Sequence, residues 1–229
     1  MRNAENRLMS QLPLKDRKRL QSLCVPVELS LSQVLSEPGE TTRCVYFPSA
    51  AFVSLLAVTA GKPGIEVAMI GSEGMLGAEI GLGVTTAPLR TLVQGSGLAW
   101  RVGATSFGHE LARSPALQAC VRRYVHVLMM QLATSAVCLH YHAITPRLAR
   151  WLLMSQDRAH ARSIHVTHEF LASMMGVRRV SVTTAASALQ RSGLIIYHRG
   201  ELTVLDRKGL ENAACDCYRA GRQAYTELL

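Results

Sequence analysis

The sequence lacks the patterns of membrane-spanning, exported or disulfide-rich proteins. Its longest apolar stretch, AAFVSLLAVTA, is far shorter than the roughly 18 residues that indicate a transmembrane helix. The opening MRNAENRLMS has no apolar core of the kind that a signal peptide needs. The six cysteines include no C-x-x-C pair, so their spacing indicates neither a zinc site nor a disulfide framework. We therefore expect a cytoplasmic protein with reduced thiols, no membrane contact, no metal and no other cofactor.

Acidic residues are also few. The chain has 16 Asp and Glu against 25 Lys and Arg, for a formal charge of +9, which favours polyanionic partners such as nucleic acid or an anionic membrane surface. Residues 140–200 contain only Asp157 and Glu169 as acids, against eight arginines: Arg147, Arg150, Arg158, Arg162, Arg178, Arg179, Arg191 and Arg199. Arginine suits forked contacts with phosphates and guanine edges. A basic stretch is more commonly just a solvated face, so charge alone does not decide the partner.

The hydrophobic pattern changes along the 229 residues. Residues 13–24 predict a short amphipathic helix, and from there to about residue 107 short apolar runs alternate with turn sequences such as EPGE and GSEG. This spacing is typical of an antiparallel β-sandwich or jelly-roll-like domain.

Residues 115–139 predict one long helix. Its inward positions follow each other in steps of four and three, as in a coiled-coil seam: Leu117, Val121, Tyr124, Leu128, Gln131, Ser135 and Cys138. We expect this face to be a homodimer interface. The alternative is a helix that packs on its own β-domain, and one face of a long helix can serve both purposes.

The stretch GVRRVSVTTAASALQRSGLI, residues 176–195, predicts the second helix of a helix-turn-helix unit. Thr167 is a candidate N-cap of the preceding helix, and Gly176 would end that helix. Val182 and Ala185 are spaced to pack back on it. The following LIIYHRGELTVLD predicts a wing, with strands at 194–197 and 201–205 and a turn at His198, Arg199 and Gly200.

This order of parts resembles the CRP/FNR transcription regulators. The likeness is most specific in VTHEFLASMMGVRRVSVTTAASALQRSGLIIYHRGELTVLDRKGL, while SEPGETTRCVYFPSAAFVSLL is similar to the early strands of a cyclic-nucleotide-binding β-roll. The resemblance implies an α+β chain with a sensor domain at 1–114, a dimerisation helix and hinge at 115–142, and a winged helix-turn-helix domain at 143–229. It implies a homodimer on inverted-repeat double-stranded DNA, and it leaves RNA polymerase and an unidentified small-molecule effector open as partners.

Matched position by position, the resemblance implies a DNA-contacting set: Thr167, Arg178, Arg179, Val180, Ser181 and Thr184, with Arg199 on the wing. Arg179, Val180 and Thr184 take the base-reading places, and the others lie nearer the phosphates. Well-studied members have Glu at the place of Val180 and Arg at that of Thr184, so we expect a different operator sequence.

The effector cassette departs further from the family. Cyclic-nucleotide-binding members hold the ribose with Gly-Glu and the cyclic phosphate with Arg-Ser or Arg-Thr. In GMLGAEIGLGVTTAPLRTLV, Ala78 follows Gly77, Glu79 comes one residue late, and Arg90 with Thr91 lies about three residues beyond the expected place. The resemblance then implies a degenerate pocket with an unknown effector. The alternative is a cyclic-nucleotide-responsive regulator whose shifted pocket uses Glu79 and Arg90, with Gly77 and Thr91 beside them.

Other functions find less support in the sequence. All eight histidines lie at or after His109, whereas a metal-dependent jelly-roll enzyme or a haem sensor would need them on or beside the strands. Only Cys24 lies before residue 40, which is too few ligands for an N-terminal iron–sulfur sensor. A cyclic-nucleotide-binding subunit of a larger assembly would leave the winged helix unexplained. We expect no enzymatic activity.

Two close pairs of metal-binding residue types occur late in the chain. His140 and His142 lie two residues apart, which is more typical of surface or core residues than of ligands. Cys215 and Cys217 would face about 200° apart on a regular helix, so they are not expected to bridge.

Overall fold

The computed structural model describes residues 5–60, 64–159 and 163–229; Arg162, counted above, lies outside them. The helices are α1 (Arg7–Ser10), α2 (Leu14–Leu23), α3 (Ala104–Arg113), α4 (Pro115–Tyr141), α5 (Ile144–Ala159), α6 (His168–Met175), α7 (Arg179–Arg191), α8 (Arg207–Ala213) and α9 (Cys217–Leu228), with a 3-10 turn at Ala78–Leu82. The strands are β1 (Val25–Leu29), β2 (Val34–Ser36), β3 (Cys44–Pro48), β4 (Phe52–Ala57), β5 (Ile65–Ile70), β6 (Arg90–Gly95), β7 (Gly97–Gly103), β8 (Ser163–His165), β9 (Ile195–His198) and β10 (Glu201–Val204). Among the described helices, none is both long enough and apolar enough to cross a membrane.

The N-terminal strands form an antiparallel roll, as the alternation of apolar runs and turns predicts. Within the described residues, one sheet has the order β1-β7-β3 and a second has the order β2-β6-β4-β5. The register of β3 on β7 runs from Cys44 opposite Gly103 to Pro48 opposite Ala99. Apolar side chains such as Val45 and Phe47 point inward and are buried, because alternate residues of a strand face the same side of its sheet.

Helix α4 packs one face along this roll. Tyr124 is completely buried, and its hydroxyl donates a hydrogen bond of 2.8 Å to the carbonyl of Met75. Further toward the C-terminus of α4, the Gln131 side-chain amide donates a hydrogen bond of 3.2 Å to the carbonyl of Met69. The buried α4 side chains are Leu117, Cys120, Val121, Tyr124, Val127, Gln131, Ser135 and Cys138.

This packing corrects the predicted dimer seam. Among the positions assigned to it, Leu117, Val121, Tyr124, Gln131 and Ser135 are buried within a single chain, and Leu128 is half-buried. The four-three spacing has another cause, since a helix lying on its own domain buries positions with nearly the same period as a coiled coil. The alternative left open by the sequence, packing on the β-domain, accounts for these residues.

The C-terminal part joins the roll through α5. Leu148, Leu152 and Leu153 of α5 are completely buried in a core that also contains Phe52 and Met69 of the roll. Beside this contact, the Arg158 guanidinium lies 2.7 Å from the Glu73 carboxylate, and both side chains are largely buried. A buried ion pair that loses one partner typically costs about 3–5 kcal/mol, so this pair constrains how the two halves fit together.

We expect Gly81 to tolerate no side chain, because it lies under α4. A Cβ built there would be 2.5 Å from Val121 Cγ1, whereas one on Gly108 of α3 would meet no described atom within 4 Å. Gly81→Ala should lower the free energy of unfolding by about 1–3 kcal/mol through overpacking. Gly108→Ala should leave it unchanged or raise it by about 0.5–1 kcal/mol. Urea unfolding measures both, and equal effects would contradict the position of α4 on the 3-10 turn.

Candidate nucleic-acid interface and effector pocket

The helix-turn-helix unit is formed by α6 and α7. The Thr167 hydroxyl accepts a hydrogen bond of 3.1 Å from the Phe170 amide, so it is the N-cap of α6 as predicted. Gly176 ends the helix in the left-handed conformation, with φ of +63°, which a glycine adopts without a Cβ penalty. Val182 and Ala185 of α7 are buried, as their spacing predicts.

The first turns of α7 leave a compact set of side chains exposed. Arg179 is the first residue of α7 and its side chain is 70% exposed; Val180 is 65% exposed, although it is aliphatic. Thr184 is exposed, and its hydroxyl donates back to the Val180 carbonyl at 3.0 Å. Arg178 is exposed as the N-cap of α7, and Ser181 is half-buried. The structure therefore places these candidates together at the N-terminal end of one helix.

A histidine that the sequence analysis did not single out supports this surface. The His168 ring stacks on Tyr197 of β9 with centroids 4.4 Å apart, and its Nδ1 lies 3.0 Å from the Thr183 hydroxyl of α7. Burial, and secondarily the positive charge of Arg179, lower the pKa of His168. A neutral imidazole thus joins α6, α7 and the wing. The sequence carries no local signal for this role of His168, because Thr183 and Tyr197 are distant from it along the chain.

The wing has the predicted hairpin with small shifts at its ends. Strand β9 pairs with β10 from Ile195 opposite Val204 to His198 opposite Glu201, so His198 belongs to the strand and not to the turn. The two turn residues, Arg199 and Gly200, have φ of +49° and +86°. Such left-handed pairs close tight β-hairpins because their twist matches that of the strands. The turn places exposed Arg199 at the tip of the wing.

Comparison with known proteins agrees with this geometry. Residues 146–213 match the family described as the Crp-like helix-turn-helix domain. No curated protein sequence matches the chain.

Most of the chain has the fold of the CRP/FNR transcriptional regulators, which confirms the resemblance noted in the sequence. FixK2 from Bradyrhizobium japonicum is 14% identical, with 84% of this chain and 98% of that chain covered and a TM-score of 0.71. A CRP/FNR family transcriptional regulator from Thermus thermophilus is 20% identical, with 83% and 98% covered and a TM-score of 0.67. The regulator CLP from Xanthomonas campestris, described as c-di-GMP responsive, is 15% identical, with 85% and 100% covered and a TM-score of 0.68.

The N-terminal roll forms a cavity of about 750 Å³ against α4. Gly77, Glu79 and Thr91 line it, together with Leu128 and Leu132 of α4. Leu128, placed by the sequence analysis at a dimer seam, is therefore a wall of the pocket. Three of the four candidate effector residues meet at one cavity.

Arg90, the fourth candidate, is held elsewhere. Its Nε lies 2.8 and 3.0 Å from the two carboxylate oxygens of Glu37, and Arg90 is not among the residues that line the cavity. Two of the candidates that do line the pocket also have protein partners: Thr91 accepts from the Ser36 hydroxyl at 2.9 Å, and Glu79 accepts from the Thr42 hydroxyl. The pocket therefore offers a buried hydroxyl, a carboxylate and the exposed guanidinium of Arg43, while the predicted phosphate ligand Arg90 is paired with Glu37.

Proposed function

We propose that the protein is a dimeric, sequence-specific DNA-binding transcription regulator of the CRP/FNR type. The observation that carries this proposal is the exposed start of α7, where the guanidinium of Arg179, the aliphatic side chain of Val180 and the hydroxyl of Thr184 lie together. Nothing in the packing of the chain requires Val180 to be exposed. An exposed aliphatic side chain at this place is suited to contact the methyl group of a thymine.

In this proposal α7 enters the major groove by its N-terminal end. Arg179 pairs with the O6 and N7 of a guanine, and Val180 and Thr184 contact bases beside it. The weak contact of Arg179 with Glu169, at 4.0 Å between largely exposed groups, leaves the arginine available for DNA. The remaining candidates hold the backbone phosphates: Thr167, Arg178, Ser181 and, on the wing, Arg199.

Dimerisation would use the exposed face of α4 instead of the buried one. Met129, Met130 and Val137 are 62%, 40% and 51% exposed, and Ala133 and Ala136 lie beside them on the same helix. Positions 129, 133 and 136 again follow steps of four and three, as in a two-stranded coiled coil. Small residues at the centre of this face would let two helices approach closely.

For the effector, we propose a ligand other than a cyclic mononucleotide, or operation without one. The Glu37–Arg90 pair competes with any phosphate for the arginine. CLP, with a related fold, is described as responsive to c-di-GMP, so an effector other than cyclic AMP is compatible with this architecture.

Arg179→Ala should cost about 1–3 kcal/mol on a duplex selected from a random pool and should relax the preference at one base pair per half-site. Arg199→Ala should instead weaken all duplexes alike and reduce the salt slope by about 1 per subunit. Arg191→Ala removes an exposed arginine from the far end of the same helix and is the control. Fluorescence anisotropy across single-base variants and salt concentrations measures these effects. An equal loss on selected and random duplexes for Arg179→Ala would make it a phosphate contact.

Ala133→Glu should produce monomers, because it places two carboxylates in an apolar interface where desolvation costs several kcal/mol. Ala112→Glu makes the same change at an exposed position of α3 and should leave the dimer intact. Sedimentation at micromolar concentration distinguishes the two. A dimeric Ala133→Glu protein would contradict the assignment of this face.

Cyclic AMP and cyclic GMP should show no micromolar binding in calorimetry, because each missing charge-assisted hydrogen bond costs roughly 1.5–3 kcal/mol. Tight binding that Arg90→Ala abolishes would establish the alternative, in which Arg90 leaves Glu37 and acts with Glu79 on the phosphate and ribose.

A further inference from the structure

Three cysteines and one histidine meet where α4 ends. Cys138 lies in the last turn of α4 and His142 directly follows the helix, while Cys215 lies between α8 and α9 and Cys217 begins α9. Their ligand atoms all lie within 4.8 Å of one another. The Sγ atoms of Cys138 and Cys215 are 3.5 Å apart, and Cys217 Sγ is 3.6 Å from His142 Nδ1. The three cysteines are buried and the histidine is half-buried.

We propose that these four side chains bind one zinc ion, which fastens the turn between α8 and α9 to the end of α4. Three thiolates and one imidazole are a common structural zinc set, and tetrahedral bonds of about 2.3 Å place two sulfur ligands about 3.8 Å apart. The observed separations fit this spacing. A multi-iron cluster would bind its ligands to different iron atoms and hold them farther apart.

The structure differs from the regular helix that the sequence analysis assumed for Cys215 and Cys217. Cys215 and Cys217 do not share a regular helix, because α9 begins only at Cys217 and Cys215 lies in the preceding turn. Both can therefore turn toward Cys138, which is 77 residues from Cys215 in sequence. No local spacing rule detects ligands brought together over that distance.

Nearby arginines match the charge of such a site. Zinc with three thiolates carries a net charge of −1, and Arg150 of α5 lies beside Cys138, with its guanidinium 3.4 Å from the Ser135 hydroxyl of α4. In the described part of the structure the buried Arg150 Nε has no protein partner. This leaves the arginine available to balance the negative charge of zinc with three thiolates.

The site would tie the DNA-binding domain to the helix proposed to form the dimer. Arg147, one turn from Arg150, donates a hydrogen bond of 2.6 Å to the carbonyl of Met175, the last residue of α6. An ion at the end of α4 would hold the α8–α9 turn and, through these neighbours on α5, restrain the position of the helix-turn-helix unit. Its role is structural, since four protein ligands leave no open coordination position.

Titration of the reduced, metal-free full chain with Zn²⁺ and, separately, with Co²⁺ tests the site. We expect one ion per chain, and for cobalt the intense visible bands and the thiolate charge-transfer band of a tetrahedral sulfur-rich site. Cys138→Ser and Cys217→Ser should abolish stoichiometric binding, and His142→Ala should weaken it. His140→Ala and Cys44→Ser are matched controls outside the cluster and should bind as the wild type does. Zinc should raise the Tm of the wild type and leave that of Cys138→Ser unchanged.

The wild-type cobalt spectrum decides the matter even where a variant fails to fold. Lack of stoichiometric cobalt or zinc binding by the reduced wild type would overturn the proposal, as would an octahedral spectrum. Binding that persists in a folded Cys138→Ser protein would also overturn it. A Cys138–Cys215 disulfide in the isolated chain, with no zinc binding after reduction, would identify a thiol pair instead of a metal site.

Discussion

The buried face of α4 is the constraint on which the rest of the structure depends. Its 27 residues span about 40 Å at 1.5 Å per residue, long enough to contact the β-roll near one end and α9 near the other. Tyr124 fixes its rotation, because a buried phenol hydroxyl must find a partner and does so at the Met75 carbonyl. Once that rotation is set, every other position of the helix has a defined environment.

Three features therefore share one rigid element. Leu128 and Leu132 form a wall of the cavity, Met129 and Ala133 face outward, and Cys138 reaches the cysteine cluster. A ligand that prefers one position of the cavity wall would act on the helix that also carries the proposed dimer face. Such coupling requires only that the ligand bind two arrangements of α4 with different affinity.

The sequence predicted features whose causes are local. The Thr167 cap, the Gly176 helix end and the tight turn at Arg199 and Gly200 each follow from the backbone preferences of a few adjacent residues. The antiparallel roll and the winged helix-turn-helix were predicted for the same reason. The partner of the buried face of α4 was not predicted, because Val121 and Tyr124 repeat with the same period whether they pack against another chain or against their own β-roll.

Features that depend on distant partners were also missed. Arg90 lies about three residues beyond the phosphate-binding place of its cassette and was left open as a shifted ligand, but Glu37, 53 residues away, holds it. Cys138 and Cys215 share no recognisable spacing and meet only because α9 packs along α4. Both cases need the tertiary structure, since the deciding interaction is between chain segments and not within one.

A base-resolved chemical footprint on a duplex selected from a random pool tests the central claim, that α7 of each subunit reads the major groove of DNA. The account predicts two protected major-groove segments related by inverted symmetry, with centres about 34 Å apart. A single protected segment, or protection confined to the minor groove and the phosphates, would contradict it.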